Sequence, residues 1–430
     1  MYCRLIDQQP TTNDQHPARF FAAASLVFGA LMIALTPPFQ TPDEPAHLFR
    51  AWSISEGTWF ARGGARVPRS LVDAAAAGLA RPAFALTPLR PDDRIFVATV
   101  ADPAHHPLGY TAPSYTPLGY AATAPAMLLG RALSLSPVAL VYLGRLANLM
   151  ASTLILAIAI RRAPFGRWAL ALLALTPMAV FMRASFSADA LTIACAVALV
   201  VEILRAQASS IVLSFIVAAI KPGYAILPLL ALGVPRLRAR RVVLALILLA
   251  MLAGTFVAYV WIREAGVPAD PSLGVDMSAR AAALLHAPFA YAARLAGELA
   301  SVAGLMAVEL VADFGWLDAP APLAFALLWI VALIGVAVAD GPVSRFSRSW
   351  SLALFVIAVV ALTTVTHLGA PAGKFIFGLQ GRYFIPFLPL ALLPLCSLGV
   401  SEWAKARAVV ALTGLAMLQS AWILVARYWL

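Results

Sequence analysis

Hydrophobic residues in this chain come in blocks. From Phe20 to Leu430, stretches of 17 to 24 residues with at most one charge recur between short polar connections. Each is close to the roughly 20 residues an α-helix needs to cross about 30 Å of hydrocarbon. In lipid the backbone must satisfy its own hydrogen bonds, so many such blocks can only form a helical bundle. Apolar residues make up 62% of the chain and charged residues 12%, against roughly 25% charged in soluble domains. Soluble, barrel and peripheral folds are therefore excluded, and an all-α polytopic membrane protein is expected, a single membrane domain over residues 1–430.

The net charge of +11 would suggest nucleic acid in a soluble protein. Here the arginines bunch in short connections, as the positive-inside rule asks of cytoplasmic loops, so no nucleic-acid partner is expected. Cys195 and Cys396 fall inside apolar blocks and Cys3 near the terminus, which leaves neither a disulfide framework nor a zinc spacing. The first block, Phe20 to Phe39, follows Arg4 and Arg19 but lacks a small-residue cleavage site. It reads as an uncleaved signal anchor with a cytoplasmic N-terminus.

Four basic clusters orient the rest: Arg161, Arg162 and Arg167; Arg236, Arg238, Arg240 and Arg241; Arg345 and Arg348; Lys405 and Arg407. Placing all four inside puts residues 40–116, a long loop rich in Pro, Gly and charge, on the extracytoplasmic side. The same count puts a second large segment, 263–321, there too. The run 115–133 contains Pro117, Gly119, Pro125 and Gly130 and is expected to be an interfacial helix. So is 288–311, which carries Arg294, Glu298 and Glu309. Lys-Pro-Gly at 221–223 interrupts the run 211–232. Proline suits the first turn of a helix, so this run reads as a hairpin of two half-length arms with Lys221 at its tip. Counting both arms, about 11 transmembrane helices result.

On this topology the remaining ionisable residues gather on the outer side: Asp43, Glu44, His47, Arg50, His105, His106, Arg183, Asp189, Lys221, Asp313, Asp318, His367, Lys374 and Arg382. Ionisable groups at a membrane are costly and mark function by default. Asp43 and Glu44 sit between Pro42 and Pro45, where Pro45 should open a short helix and both carboxylates crown its N-terminus. Plain helix capping would account for them equally well. Asp43 and His47 could share a metal only if both were helical, and no metal is assigned. Lys221 could simply satisfy hairpin carbonyls, Arg382 could be a snorkelling boundary arginine, and Phe-Gly-Trp-Leu-Asp at 314–318 an interfacial anchor.

Six motifs occur in order: Thr-Pro-Asp-Glu-Pro-Ala-His at 41–47, Arg-Leu-Ala-Asn at 145–148, Pro-Met-Ala-Val-Phe through Ser-Ala-Asp-Ala at 177–190, Lys-Pro-Gly-Tyr at 221–224, Phe-Gly-Trp-Leu-Asp at 314–318, and Gln-Gly-Arg-Tyr-Phe-Ile-Pro at 380–386. Together, over about residues 20–395, they resemble a family of uncharacterised bacterial predicted membrane proteins, a domain of unknown function. That family is similar to the GT-C superfamily of polyprenyl-phosphate-sugar-dependent glycosyltransferases. The resemblance implies a GT-C-like fold whose acidic pair falls on Asp43, as base, and Glu44, orienting Asp43 or the acceptor. The family's Pro-Leu-x-Tyr element occurs twice, at 107–110 and 117–120.

The leading expectation is an inverting glycosyltransferase of the bacterial inner membrane, moving a sugar from a polyprenyl-phosphate donor to an extracytoplasmic glycan, lipid or protein acceptor. A carboxylate takes the acceptor proton, and cations stabilise charge on the leaving phosphate. Asp43 and Glu44 are the catalytic candidates. Substrate or phosphate binding falls to His47, Arg50, Arg183, Asp189, Lys221 and Arg382. No cofactor is required. A flippase or transporter for lipid-linked sugars would gather its charges nearer the midplane, and a noncatalytic polysaccharide-assembly protein is the remaining alternative.

Overall fold

The computed structural model describes residues 16–60, 65–79, 105–108, 112, 115–265, 274–341 and 346–430. Five helices are long and apolar enough to cross a membrane: α1 (His16–Leu35), α5 (Pro137–Arg162), α10 (Arg241–Ala265), α14 (Arg348–Leu368) and α15 (Glu402–Tyr428). Between them lie further helices: α2 (Glu44–Ser55), α3 (Arg69–Leu79), α4 (Thr123–Ala132), α6 (Arg167–Ala174), α7 (Pro177–Arg183), α8 (Asp189–Leu204), α9 (Ser209–Ile220), α11 (Met277–His286), α12 (Pro288–Val311) and α13 (Leu323–Ala339). Two proline-rich stretches, Pro222–Gly233 and Gly381–Leu395, are mostly 3₁₀ in character. The strands are minor. Ala65–Pro68 pairs antiparallel with His105–Leu108, and Asp313–Phe314 with Ala319–Pro320.

The basic clusters collect at one end of the bundle. There Arg162 grips Glu202 with two hydrogen bonds of 2.7 and 2.9 Å, Arg205 donates to the Arg162 carbonyl at 2.8 Å, and Arg240 to the Ala206 carbonyl at 3.1 Å. Lys405 donates to Asp340 at 2.9 Å, and the other oxygen of Asp340 accepts from the first N–H groups of α6. Arg345 lies outside the described residues.

This arginine end fixes the direction of each segment. Helix α9 starts there, beside Glu202, through a contact made by Ser209, and ends at Lys221, which pairs with Asp189 at the opposite end of α8. Pro222–Gly233 then returns. Its last carbonyl accepts from Ser347 at 2.9 Å, and the Leu229 carbonyl accepts from Trp350 at 2.9 Å, both next to Arg348. Residues 209–233 are therefore a hairpin with Lys221 at the turn, because Pro222 lacks the N–H that a continuing helix would use. The segment Gly381–Leu395 descends likewise, from Arg382 to Cys396, whose carbonyl accepts from Arg348 at 3.1 Å.

Helix α12 does not run between the ends. At its start Tyr291 hydrogen-bonds Thr364 near the close of α14 at 2.9 Å, and at its finish Glu309 accepts from the Gly381 N–H at 2.7 Å. It lies flat on the end opposite the arginines, as the charges at 294, 298 and 309 require. Helix α4 has ten residues and rises only about 15 Å, too little to cross. It packs on α2 and α5 at that same end.

One close approach seats the functional end. A Cβ at Gly144 of α5 would overlap the Phe186 ring in the α7–α8 turn. Gly144→Ala should therefore destabilise the protein by about 1–3 kcal/mol. Gly414→Ala, in a helix position with nothing near it, should cost nothing and gain up to about 1 kcal/mol. Thermal midpoints in detergent measure both, and equal midpoints would mean the approach is looser than described.

Candidate functional site

The chain leaves α1 at Leu35 and is pinned at nearly every step to Asp43. Arg145, fully buried in α5, donates to the carbonyls of Thr36 at 2.6 Å and Pro37 at 2.8 Å. Its other donors meet Glu44 in a two-point ion pair of 2.7 and 2.6 Å. Glu44 also accepts from the Phe39 N–H at 2.8 Å. Trp316, from the Phe-Gly-Trp-Leu-Asp motif, donates to the Phe39 carbonyl at 3.1 Å, and Gln40 reaches the Gly78 carbonyl at 2.9 Å. Asp318 of the same motif is held by Arg427 at 2.8 Å. The turn so held contains two non-glycine residues in the left-handed region, Phe39 with φ 66° and Asp43 with φ 58°. Such backbone costs on the order of 1 kcal/mol and persists only where the surroundings enforce it.

Asp43 precedes α2, whose first turn carries Pro45. Its side chain does not cap the helix, and among the described residues its carboxylate makes no hydrogen bond or ion pair. It is partly exposed while its neighbours Pro42 and Glu44 are buried. Capping therefore does not explain Asp43.

Around it gathers a polar cluster built from four separate parts of the chain. Lys221, at the hairpin turn, pairs with Asp189 and lies over the rings of Tyr115 and Tyr383, 5.2 and 5.5 Å from their centroids. Arg382 is buried, lies 5.5 Å over the Tyr383 ring, whose side chain it also engages, and donates to the Met182 sulfur at 3.2 Å; its Nε is buried without a partner. Asp43 lies within electrostatic reach of Arg382 and Tyr115, and Asp189 within reach of Arg382 and His47. His47 hydrogen-bonds the Tyr120 hydroxyl through Nδ1 at 2.7 Å and sits against Tyr115. Burial pushes its imidazole down to about 3, so it is neutral. Tyr120 belongs to the second Pro-Leu-x-Tyr copy, at 117–120, which the site uses; the first copy runs partly outside the described residues.

Several expectations change. Glu44 is wholly engaged by Arg145 and Phe39 with no exposed surface, so it orients the turn and cannot meet an acceptor. Arg50 faces backbone: its guanidinium donates to the Trp59 carbonyl at 2.6 Å and, longer, to those of Thr58 and Tyr115. Arg183 points into the bundle, donating to Ser25 at 2.8 Å, Thr153 at 3.2 Å and the Ala174 carbonyl at 2.8 Å. Both arginines spend their Nη donors on the protein itself, and the Nε of each is buried without a partner. Asp189 is the counter-ion of Lys221 rather than a phosphate ligand. Neutral His47 offers no charge to a phosphate and lends its Nδ1 to Tyr120. Among the described residues no group of three or more His, Cys, Asp or Glu could hold a metal.

Arg145 is the principal residue that the reading of outer-side charges misses, because it lies within an apolar run and meets a partner 101 positions away. Its motif offered the signal. Asn148, one turn on, holds the Ser185 and Ser187 carbonyls at 2.8 and 3.1 Å and so positions Asp189. Arg145→Gln leaves a buried carboxylate unpaired and should cost about 3–5 kcal/mol, with Glu44→Gln added in the same chain restoring part of the loss. Detergent melting curves test this, and an Arg145→Gln protein as stable as the wild type would refute the clamp.

Residues 26–391 match the model of a family described as predicted membrane protein (DUF2142). No curated protein matches the chain, and no solved structure does. The match takes in the pinned turn, the hairpin and Arg382 together, and the chain belongs to this DUF2142 family of predicted membrane proteins.

Proposed function

We propose that the protein is a GT-C-like inverting glycosyltransferase of a bacterial inner membrane. It takes a sugar from a polyprenyl-phosphate donor and passes it to a hydroxyl of an extracytoplasmic glycan, lipid or protein acceptor. The observation that carries this reading is Asp43: a carboxylate held in left-handed backbone, free of hydrogen bonds among the described residues, beside a buried arginine with a spare donor. A capping or purely structural aspartate would spend its oxygens on neighbouring N–H groups.

In the proposed reaction the acceptor oxygen attacks the anomeric carbon while its proton passes to Asp43. The bond from the sugar to the lipid phosphate breaks, and the phosphate leaves with the electron pair. Arg382 receives that charge through its unpartnered Nε. Lys221, fixed by Asp189 between Tyr115 and Tyr383, adds positive potential without leaving its own counter-ion. Aromatic walls of this kind suit a pyranose ring laid against tyrosines. Glu44 and Arg145 act on the turn alone.

The same reading counts eleven crossings, the five long helices together with α6–α7, α8, both arms of the 209–233 hairpin, α13 and Gly381–Leu395. It places the arginine end in the cytoplasm. Cysteine introduced at Asp276 should react with an impermeant maleimide applied to the outside of cells, and cysteine at Arg238 only after the membrane is opened. The reverse pattern would turn the pocket toward the cytoplasm and remove the donor assigned to it.

Asp43→Asn tests the base. Asparagine adopts left-handed backbone as readily as aspartate and should leave the melting temperature unchanged, while transfer from polyprenyl-phosphate sugars falls by about 10²–10⁴. Full transfer by a normally folded Asp43→Asn protein would overturn the assignment.

A further inference from the structure

A second basic feature lies on the same end of the bundle, away from Asp43. Helix α12 touches the pocket region at Glu309; fifteen residues back, roughly 22 Å of helix, Arg294 faces an open cavity of about 520 Å³. Arg280, Arg294 and Lys374 line it together with Tyr291, His367 and Phe375, and among the described residues no carboxylate does. Two acids at the margin are engaged. Asp276 caps α11, accepting from the Ala279 N–H and the Ser278 hydroxyl at 2.8 Å each, and Glu298 stands 4.0 Å from Arg294.

The cavity is built rather than incidental. Arg280 fastens the loop after α14, donating to the carbonyls of His367 at 3.0 Å, Pro371 at 2.9 Å and Lys374 at 3.1 Å. His367 donates through Nδ1 to the Phe375 carbonyl at 2.7 Å. That holds the Phe375 ring under Arg294, whose guanidinium stacks 4.4 Å from its centroid. Stacking uses the face of the guanidinium and leaves its N–H groups at the edge. Among the described residues neither the Arg294 nor the Lys374 side chain donates a hydrogen bond. The first turn of α12, at Ala287 and Ala290, also opens on the cavity, and the positive end of a 24-residue helix adds to the field.

Leu285 and Phe289, next in sequence to lining residues, and Phe377, whose ring lies 5.2 Å from the Lys374 ammonium, are 77%, 90% and 50% exposed. Apolar side chains this open, next to cations on a membrane protein, are solvated by acyl chains rather than water. We propose that this cavity binds the phosphate of an amphiphile, at a second lipid-phosphate site separate from the pocket beside Asp43. Arg294 and Lys374 grip the phosphate oxygens, while the exposed leucine and phenylalanines meet the chains. The proposal does not require Asp43 to be a base, and its test reads binding alone.

Native mass spectrometry of the full chain in detergent, titrated with three probes, tests it: dioctanoyl phosphatidic acid, dioctanoylglycerol, which lacks the phosphate, and inorganic phosphate, which lacks the chains. Phosphatidic acid should bind at least about tenfold more weakly to Arg294→Gln/Lys374→Gln than to the wild type, since losing even one of the two charge-assisted hydrogen bonds costs that much. Dioctanoylglycerol should not distinguish the two proteins, and inorganic phosphate should not displace phosphatidic acid at equal concentration. Both side chains are exposed, so an unchanged melting temperature is the folding control. Equal binding by the double variant would overturn the site. So would a loss appearing in Arg382→Gln instead, which would assign the phosphate to the central pocket. Displacement by inorganic phosphate would overturn the amphiphile as the source.

Discussion

The buried ion pair between Glu44 and Arg145 is the interaction on which the functional end depends. Burying two charges costs several kcal/mol each before their attraction returns it, and an apolar pair of equal volume is often at least as stable. What an apolar pair could not do is hold the Thr36 and Pro37 carbonyls and the Phe39 N–H at once. The pair therefore fixes the path of a strained turn, and Asp43 ends that turn with its carboxylate unspent. Glu44 and Asp43 are adjacent in sequence with opposite fates, one consumed by structure and the other presented by it.

The membrane imposes the rest. Backbone groups in hydrocarbon must be paired within their own segment, and irregular backbone survives only against protein or a polar cavity. The break between α6 and α7 is buried in protein, and three others lie at one end: the α7–α8 turn, the Lys221 hairpin and the start of Gly381–Leu395 all converge near Asp43. Each of these three contributes one charged side chain, Asp189, Lys221 and Arg382. The pocket thus arises where helices stop, and the same logic sets α12 flat across that end with a basic cavity at its start.

Much of this was legible in the sequence, and the exceptions share a cause. The Lys-Pro-Gly hairpin, the short helix opened by Pro45 and the flat lie of 288–311 follow from local rules about proline, helix rise and charge in lipid. Asp43, Lys221 and Arg382 emerged from counting charges at one boundary. A count of charges cannot show that the Nη donors of Arg50 and Arg183 are held by carbonyls and hydroxyls of the fold itself. The pairing of Asp189 with Lys221 is invisible in the sequence because the two lie 32 residues apart. Arg145 escaped notice because an arginine inside an apolar run looks like a defect in the run, and only the fold shows the glutamate facing it.

The most direct test of the central claim is an experimental structure of the protein with a polyprenyl phosphate bound. The account predicts phosphate oxygens within hydrogen-bond distance of the Arg382 guanidinium, with the Asp43 carboxylate facing the same cavity and the Glu44–Arg145 pair intact. A phosphate bound elsewhere while Arg382 remains dry, or an Asp43 side chain folded back onto the first N–H groups of α2, would contradict it.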